Sequence, residues 1–308
     1  MNLSQMNRLN TKKNTTIDWD VDVAGGAAAI EAVTVDGADT NTDNVVPAQL
    51  RIGNYRLKHQ FKISRVAIAE AASRAPEELQ NLFNAHVDRG ITHICRQMNG
   101  LLYTGNALAA SGEVVGLTKV AEDAYAYAGV NPATYPAWRV VGLGNAGVAR
   151  ALTKDLFYDL EEQVTISETM YDMIVCSPSV AKTYNKLFDT LNAGVAQSMA
   201  NDGQFRNVDL GHGGRYYNGR PLIEDPQCPT GMIYFINSAD VTLHTFRFDQ
   251  TPELSQQEKV VVNRAYGLNL HISELPSNNS AVRKFEMYIL PQLQVFNRKS
   301  VQIIRDLA

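Results

Sequence analysis

The clearest pattern in the chain is a strict alternation of apolar and polar side chains shortly after Pro47. A period of two predicts a β-strand with one apolar face and one basic face. The apolar positions are Tyr55, Leu57, Phe61 and Ile63, and the basic positions between them are Arg56, Lys58 and Lys62. Residues 27–35 also resemble a strand, and the polar stretch 36–44 between the two strands predicts a long hairpin with a loose tip. Two strands cannot bury one face adequately, so either the rest of the chain or a neighbouring chain must cover the apolar stripe.

A second pattern, with apolar residues three and four positions apart, predicts the longest helix. It runs from Leu79 to Leu102. Pro76, Glu77 and Glu78 suit its first turn, and Gly105 with Asn106 forms a natural C-cap. About 28 residues give a rod of roughly 42 Å, which is long for a compact domain.

The remaining pattern predicts an α+β protein. The first 23 residues are rich in Asn and Thr and are expected to form an extended arm. Residues 106–140 are expected to be irregular, and helices are predicted at 146–164 and from Ser177 to about Leu191. A strand is predicted at 171–176, between the two helices. From Val208 onward the pattern is β, with strands predicted at 220–225, 232–236 and 241–246 and two more within 284–304.

Composition narrows the functional classes. The net charge is −4 and the pI is about 5.9, which argues against a protein that coats nucleic acid, although it does not forbid enclosing it. No apolar run approaches the roughly 20 residues of a membrane helix, and the polar amino terminus indicates no secretory signal. Cys95, Cys176 and Cys228 are far apart, as expected for free thiols in a reducing compartment.

The sharpest chemical motif is a GxGxxG sequence at residues 142–147, which in a dinucleotide-binding fold would place pyrophosphate at a helix N-terminus. The preceding residues 136–141 make a poor strand, and no acid ends a convincing second strand. No alternation of βα units follows that would build a parallel sheet. A flexible glycine-rich segment that leads into a helix explains the motif better. A nicotinamide-dependent oxidoreductase is kept as a distant alternative.

The other reactive residues form no recognisable site. His86 and His93 share a helix face but are too far apart for one metal ion, and His212 lies in a glycine-rich loop where a turn is the default. GxSxG and HExxH are absent from the sequence. We therefore predict no enzymatic activity, no cofactor and no metal site. The basic stripe suits a docking edge for another protein better than a site for single-stranded nucleic acid.

The order of elements resembles the major capsid proteins of tailed bacteriophages, the Hong Kong 97-type fold shared with encapsulins. Two stretches are especially similar to the family, namely Leu101–Asn106 at the helix end and Asn218–Asp225 followed by Pro229–Gly231. The resemblance implies an N-terminal arm (1–26), an extended hairpin loop (27–68), a peripheral domain (69–129 and 277–308) with a spine helix (74–104), and a central domain (130–276).

The resemblance also implies a function. Such proteins assemble into pentamers and hexamers that close an icosahedral shell around double-stranded DNA in the virion, after assembly in the host cytoplasm. A separate scaffolding protein, a portal and possibly a decoration protein are the implied partners, without sequence-specific DNA binding or a membrane. An encapsulin shell is the closer alternative. The tip 36–44 has no lysine, so crosslinking is not expected.

In the family the hairpin loop lies across the neighbouring subunit beside its spine helix. This implies that the basic residues of the hairpin face acidic residues of the helix between subunits, and that the apolar stripe is buried there as well. The expected contact residues are Tyr55, Arg56, Leu57, Lys58, Phe61, Lys62, Ile63, Glu77, Glu78 and Asp88.

Overall fold

A computed structural model gives the fold of the chain. It describes residues 9–12, 16–22, 45–51, 56–74, 76–106, 114–140, 142–166, 169–187, 215–246, 259–263, 268–276 and 281–308. The helices are α1 (Arg65–Arg74), α2 (Pro76–Thr104), α3 (Leu117–Val120), α4 (Lys154–Ile166) and α5 (residues 178–187). Helices and strands are both abundant, as the α+β prediction requires.

The first strands are β1 (Leu9–Lys12), β2 (Thr16–Asp22), β3 (Val45–Arg51), β4 (Leu57–Ser64), β5 (Met173–Cys176), β6 (Tyr216–Tyr217) and β7 (Arg220–Glu224). The later strands are β8 (Ile233–Ile236), β9 (Val241–Phe246), β10 (Lys259–Asn263), β11 (Leu268–Leu275), β12 (Val282–Ile289), β13 (Pro291–Val295) and β14 (Val301–Ile304). They form a four-stranded antiparallel sheet (β10-β11-β12-β4), a five-stranded mixed sheet (β14-β8-β5-β7-β6), a three-stranded sheet (β1-β9-β13) and the pair β2-β3.

The long helix predicted from the sequence is confirmed as α2, with 29 residues and the expected acidic first turn. Val87, Ile94, Met98 and Leu102 are buried along one face at the spacing of an amphipathic helix. The helix ends where Gly105 donates its backbone N–H to the carbonyl of Leu101. A Cβ on Gly105 would lie 2.2 Å from the carbonyl oxygen of Val114, so only glycine fits at this end.

Strand β4 is also confirmed, and one of its two edges is paired within the described part of the chain. β4 pairs along its whole length with β12, in a register that places Phe61 opposite Phe285. The predicted partner, 27–35, and the tip, 36–44, lie outside the described residues. Among the described strands, β2 and β3 form the antiparallel pair that brackets this region. Alternation fixes which side chains share a face, but it cannot choose the partner strand.

Part of the predicted arm is ordered by the chain itself. In β2, Ile17 and Val21 are buried, and the Trp19 ring lies 6.1 Å from the ring of Tyr127. The short alternation of apolar residues with Asp18, Asp20 and Asp22 is a strand pattern that the surrounding Asn and Thr residues obscured.

The five-stranded sheet forms the second hydrophobic centre of the chain. Its inner strands β5 and β8 are fully buried, and α4 and α5 cover it through residues such as Phe157 and Tyr184. Helix α4 begins at Lys154, eight residues after the predicted start. Ala146 and Gly147 adopt positive φ angles, which exclude a helix at the predicted start. Likewise, the C-terminal stretch holds three strands (β12, β13 and β14) where two were predicted.

Candidate assembly interface

The face of the four-stranded sheet that points away from α2 carries three lysines. Lys58 and Lys62 are exposed on β4, and Lys284 lies directly across from Lys62 on β12. Residues directly opposite in an antiparallel pair point to the same side, and like charges in that position destabilise the pair. None of the three forms an ion pair with a described residue. We call Lys58, Lys62 and Lys284 the basic face; it is suited to bind an acidic surface.

Arg56, which was expected to join this contact, is engaged within its own chain. Its guanidinium lies 4.0 Å from the centre of the Tyr288 ring and forms an ion pair with Glu286. The Glu286 carboxylate is almost completely buried and also accepts a hydrogen bond from Gln60 Nε2 at 2.6 Å. Arg56 therefore neutralises a buried carboxylate and adds little to the basic face.

The apolar residues expected at the contact are largely covered within their own subunit. Leu57, Phe61 and Ile63 are 5–7% exposed, because α2 and β12 cover them in the same chain. The Phe61 ring stacks on the rings of His86, at 5.5 Å, and Phe285, at 5.2 Å. Their apolar atoms therefore already have partners within the described part of the chain. Tyr55 lies outside the described residues.

The expected acidic partners lie on the surface of α2. Glu77, Glu78 and Asp88 are exposed, and none of them forms an ion pair within the described part of the chain. The side chains of the basic face point away from α2, so the basic and acidic groups do not meet within one subunit.

A stronger charge pattern lies in the amino-terminal third, and the sequence reading missed it. From Asn14 to Leu50 every charged residue is acidic, whereas from Arg51 to Arg65 every charged residue is basic. The acidic residues are Asp18, Asp20, Asp22, Glu31, Asp36, Asp39 and Asp43. The structure describes the side chains of Asp18 and Asp20, and both are exposed on β2. Counting charge in blocks along the chain would have found this pattern.

A buried carboxylate ties the end of α2 to the five-stranded sheet. Asp225, just after β7, accepts hydrogen bonds from Tyr103 Oη at 2.8 Å, from Asn99 Nδ2 at 3.0 Å and from the backbone N–H of Gln227 at 2.8 Å. Asn99 and Tyr103 are four residues apart, so they share one side of the helix. The ring of Tyr103 also contacts that of Tyr234 on β8, at 5.3 Å. These contacts fix the position of the helix relative to the sheet.

The glycine motif at residues 142–147 binds a side-chain carboxylate of the same chain. The side chain of Asp306 accepts hydrogen bonds from the backbone N–H groups of Asn145, at 2.7 Å, and Gly147, at 3.2 Å. These hydrogen bonds hold the pKa of Asp306 below its usual value. The N–H groups that would bind a phosphate therefore already bind the Asp306 carboxylate. The negative charge of this carboxylate would repel a phosphate.

The remaining reactive groups are used in packing. Burial raises the pKa of Cys176 and of Cys228 to about 12, so both are thiols at neutral pH and poor nucleophiles. His93 stacks on His59, while His212 lies outside the described residues. The described residues place no group of three or more His, Cys, Asp or Glu side chains where a metal ion could bind. In the same part of the chain, every helix is too short or too polar to span a lipid bilayer.

Comparison with known protein families gives a match over most of the chain. The model of the family described as SU10 major capsid protein matches residues 2–271. A search of curated protein sequences finds no match.

Comparison with solved structures identifies the fold. The chain is similar to a subunit of the cyanophage A-1(L) capsid asymmetric unit, with a TM-score of 0.75, 20% identity, and coverage of 98% of this chain and 90% of that one. It is also similar to the capsid protein of the native GTA particle, with a TM-score of 0.63, 16% identity, and coverage of 100% and 90%. The SrpI encapsulin of Synechococcus elongatus is more distant, with a TM-score of 0.52, 11% identity, and coverage of 97% and 86%. These likenesses show the Hong Kong 97-type fold.

Proposed function

The chain belongs to the SU10 major capsid protein family, and we propose that it builds its icosahedral shell from pentamers and hexamers that enclose double-stranded DNA. The family match over residues 2–271 is the observation that carries this conclusion, because it covers most of the 308 residues. Its place is the virion capsid, and we propose that assembly takes place in the host cytoplasm. A separate scaffolding protein, a portal and a decoration protein are the proposed partners.

The two alternative functions have less support. An encapsulin shares the fold, but the family that matches is one of phage capsid proteins. A nicotinamide-dependent oxidoreductase would need the N–H groups of residues 145 and 147 for pyrophosphate, and these bind Asp306. A structural role without catalysis accords with both observations.

We propose the domain division expected from the family, except that the end of the hairpin segment is grouped with the peripheral domain. The pairing of β4 with β12 supports grouping the end of segment 27–68 with the peripheral domain (69–129 and 277–308). Most of residues 130–276 would form the central domain around the five-stranded sheet, which β14 joins from the C-terminal stretch, whereas β10 and β11 pair in the sheet of β12 and β4. The contact of Asp225 with Asn99 and Tyr103 would then join the spine helix to that domain.

For the contact between subunits, we propose that the basic face of one copy binds acidic residues of another. Glu77, Glu78 and Asp88 of α2 are one acidic surface, and the uniformly acidic segment 14–50 is a second with more charge. Each exposed pair contributes only about 0.2–1 kcal/mol and is weakened by salt. A closed shell repeats the contact at every subunit, so these small contributions accumulate.

The test is to express the full chain alone and together with its neighbouring genes, and to examine the product by negative-stain microscopy and light scattering. Shells tens of nanometres across, or pentamers and hexamers where the scaffold is missing, are expected. A monomer that stays stable across micromolar concentrations would contradict the proposal.

A further inference from the structure

Two histidines stack where α2 crosses the four-stranded sheet. The rings of His59, on β4, and His93, on α2, have centroids 5.2 Å apart and planes inclined by 21°. The stack lies beside a close contact of the helix with the sheet. A Cβ on Gly90 would lie 2.7 Å from Met287 Sδ and 3.0 Å from the ring of His59. The helix backbone at Gly90 therefore packs directly on the side chains of the sheet.

The charged groups around the stack are mostly basic. On α2, Arg89 and Arg96 lie one turn on either side of His93, and neither forms an ion pair with a described residue. Asp88 is the nearest acid on this helix, but it adjoins Arg89 in the chain. On β12 the residue across from His59 is Met287, which carries no charge.

Helix α1 also packs against β4 and supplies the remaining charges, which are Arg65, Glu70 and Arg74. Glu70 and Arg74 form an ion pair with each other at 2.7 Å. Among the described residues, no carboxylate is therefore a partner of either imidazole. A second positive charge on the stack would meet only repulsion from the first and from the two arginines.

We propose that the His59–His93 stack makes the packing of α2 on the four-stranded sheet sensitive to pH, holding helix and strand together when neutral and separating when both rings are protonated. This pH-sensitive contact between His59 and His93 lies within one subunit. It does not depend on whether the basic face joins copies in the shell.

The direction of the effect follows from the protonation equilibrium. Burial, and then the charge of His93, lower the pKa of His59 from its ordinary value of 6.5. A histidine whose pKa is lower in the folded than in the unfolded state stabilises the fold above the unfolded value. That contribution is lost as the pH falls below 6.5 towards the lower folded-state pKa, so acid should loosen the helix.

His86 provides a matched control on the same helix. Its ring stacks on Phe61 with an interplanar angle of 3°, and its partner carries no charge. Because Phe61 is uncharged, this stack contains no pair of like charges that acid could create.

The experiment compares the full chain with His59→Gln, His93→Gln, the double variant and His86→Gln. Thermal unfolding midpoints are measured at pH 8 and pH 5. The wild type and His86→Gln should lose about 2 °C more on acidification than the other three variants, which should resemble one another. Equal losses in all five proteins would overturn the proposal.

A second measurement separates the device from a merely structural role. Slow hydrogen exchange at the imidazole C2 position, read by mass spectrometry, gives the titration midpoint of each histidine in the intact protein. The midpoint of His59 should rise in His93→Gln, because the opposing charge is gone, and should stay unchanged in His86→Gln. An unchanged midpoint in His93→Gln would also overturn the proposal.

Discussion

The hydrogen bonds at Asp225 predict that this single residue controls how firmly α2 is attached to the five-stranded sheet. The perturbation is Asp225→Ala, which removes the acceptor shared by Tyr103, Asn99 and the backbone N–H of Gln227. Asp225 is only 5% exposed, so water cannot easily replace the lost acceptor. Each buried donor left without a partner costs about 1–3 kcal/mol.

The total cost should be smaller than the sum of the separate losses, because part of the site relaxes. We expect a loss of about 3–5 kcal/mol, the lower part of the range for three buried donors left unpaired. For a chain of this size that corresponds to a fall of about 10 °C in the unfolding temperature. Asp225→Asn keeps the shape and one oxygen, and Tyr103→Phe removes one donor, so each should lose about 1–2 kcal/mol.

The assay is differential scanning calorimetry of the purified protein, with Asp88→Ala as the control. Asp88 is an exposed aspartate on the same helix, and its removal should change stability by less than about 0.5 kcal/mol. Hydrogen exchange adds a local readout, since amides of residues 98–104 should exchange faster in Asp225→Ala. If Asp225→Ala unfolds within 2 °C of the Asp88→Ala control, the carboxylate does not fasten the helix and the reasoning fails.

Three further predictions concern other parts of the chain. Changing the basic face to glutamate should slow shell formation at low salt and make shells dissociate more readily, with little change in subunit stability; assembly followed by light scattering checks this. Gly90→Ala should destabilise the protein by about 1–3 kcal/mol, because the new methyl group overlaps Met287. The control Ala85→Gly, at an exposed position of α2, should cost no more than about 1 kcal/mol. Thermal unfolding measures both changes. Calorimetric titration with oxidised or reduced nicotinamide dinucleotide should give no saturable binding, and saturable micromolar binding that is lost in Gly144→Ala would contradict the account of the glycine loop.

Local patterns in the sequence were enough to predict the elements whose formation depends mainly on neighbouring residues. The helix α2 could be predicted to within a residue or two because its periodicity is long and both ends carry their own caps. The strand β4 could be predicted because alternation over eight residues has no helical explanation. The resemblance to capsid proteins then supplied the fold and the function that the family match shows.

The candidate site was less predictable because its contacts join distant parts of the chain. Pairing β4 with β12 brings Lys62 next to Lys284, more than two hundred residues away, and buries Phe61 against Phe285. No periodicity in one segment reveals which strand will be its neighbour. The carboxylate of Asp306 in the glycine loop and that of Asp225 beside α2 are likewise long-range contacts.

The burial of the β4 stripe within its own subunit changes how the shell should be held together. A subunit whose apolar face depended on a neighbour would be insoluble before assembly and would bind almost irreversibly, at roughly 1.5–3 kcal/mol for each large side chain. Here Leu57, Phe61 and Ile63 are already covered, so the fully exposed side chains of β4 are polar or charged. Contacts worth about 0.2–1 kcal/mol per pair can break and form again, which lets a misplaced subunit leave before the lattice closes around it. The strict separation of acidic residues 14–50 from basic residues 51–65 fits such contacts, since it keeps attraction between copies directional.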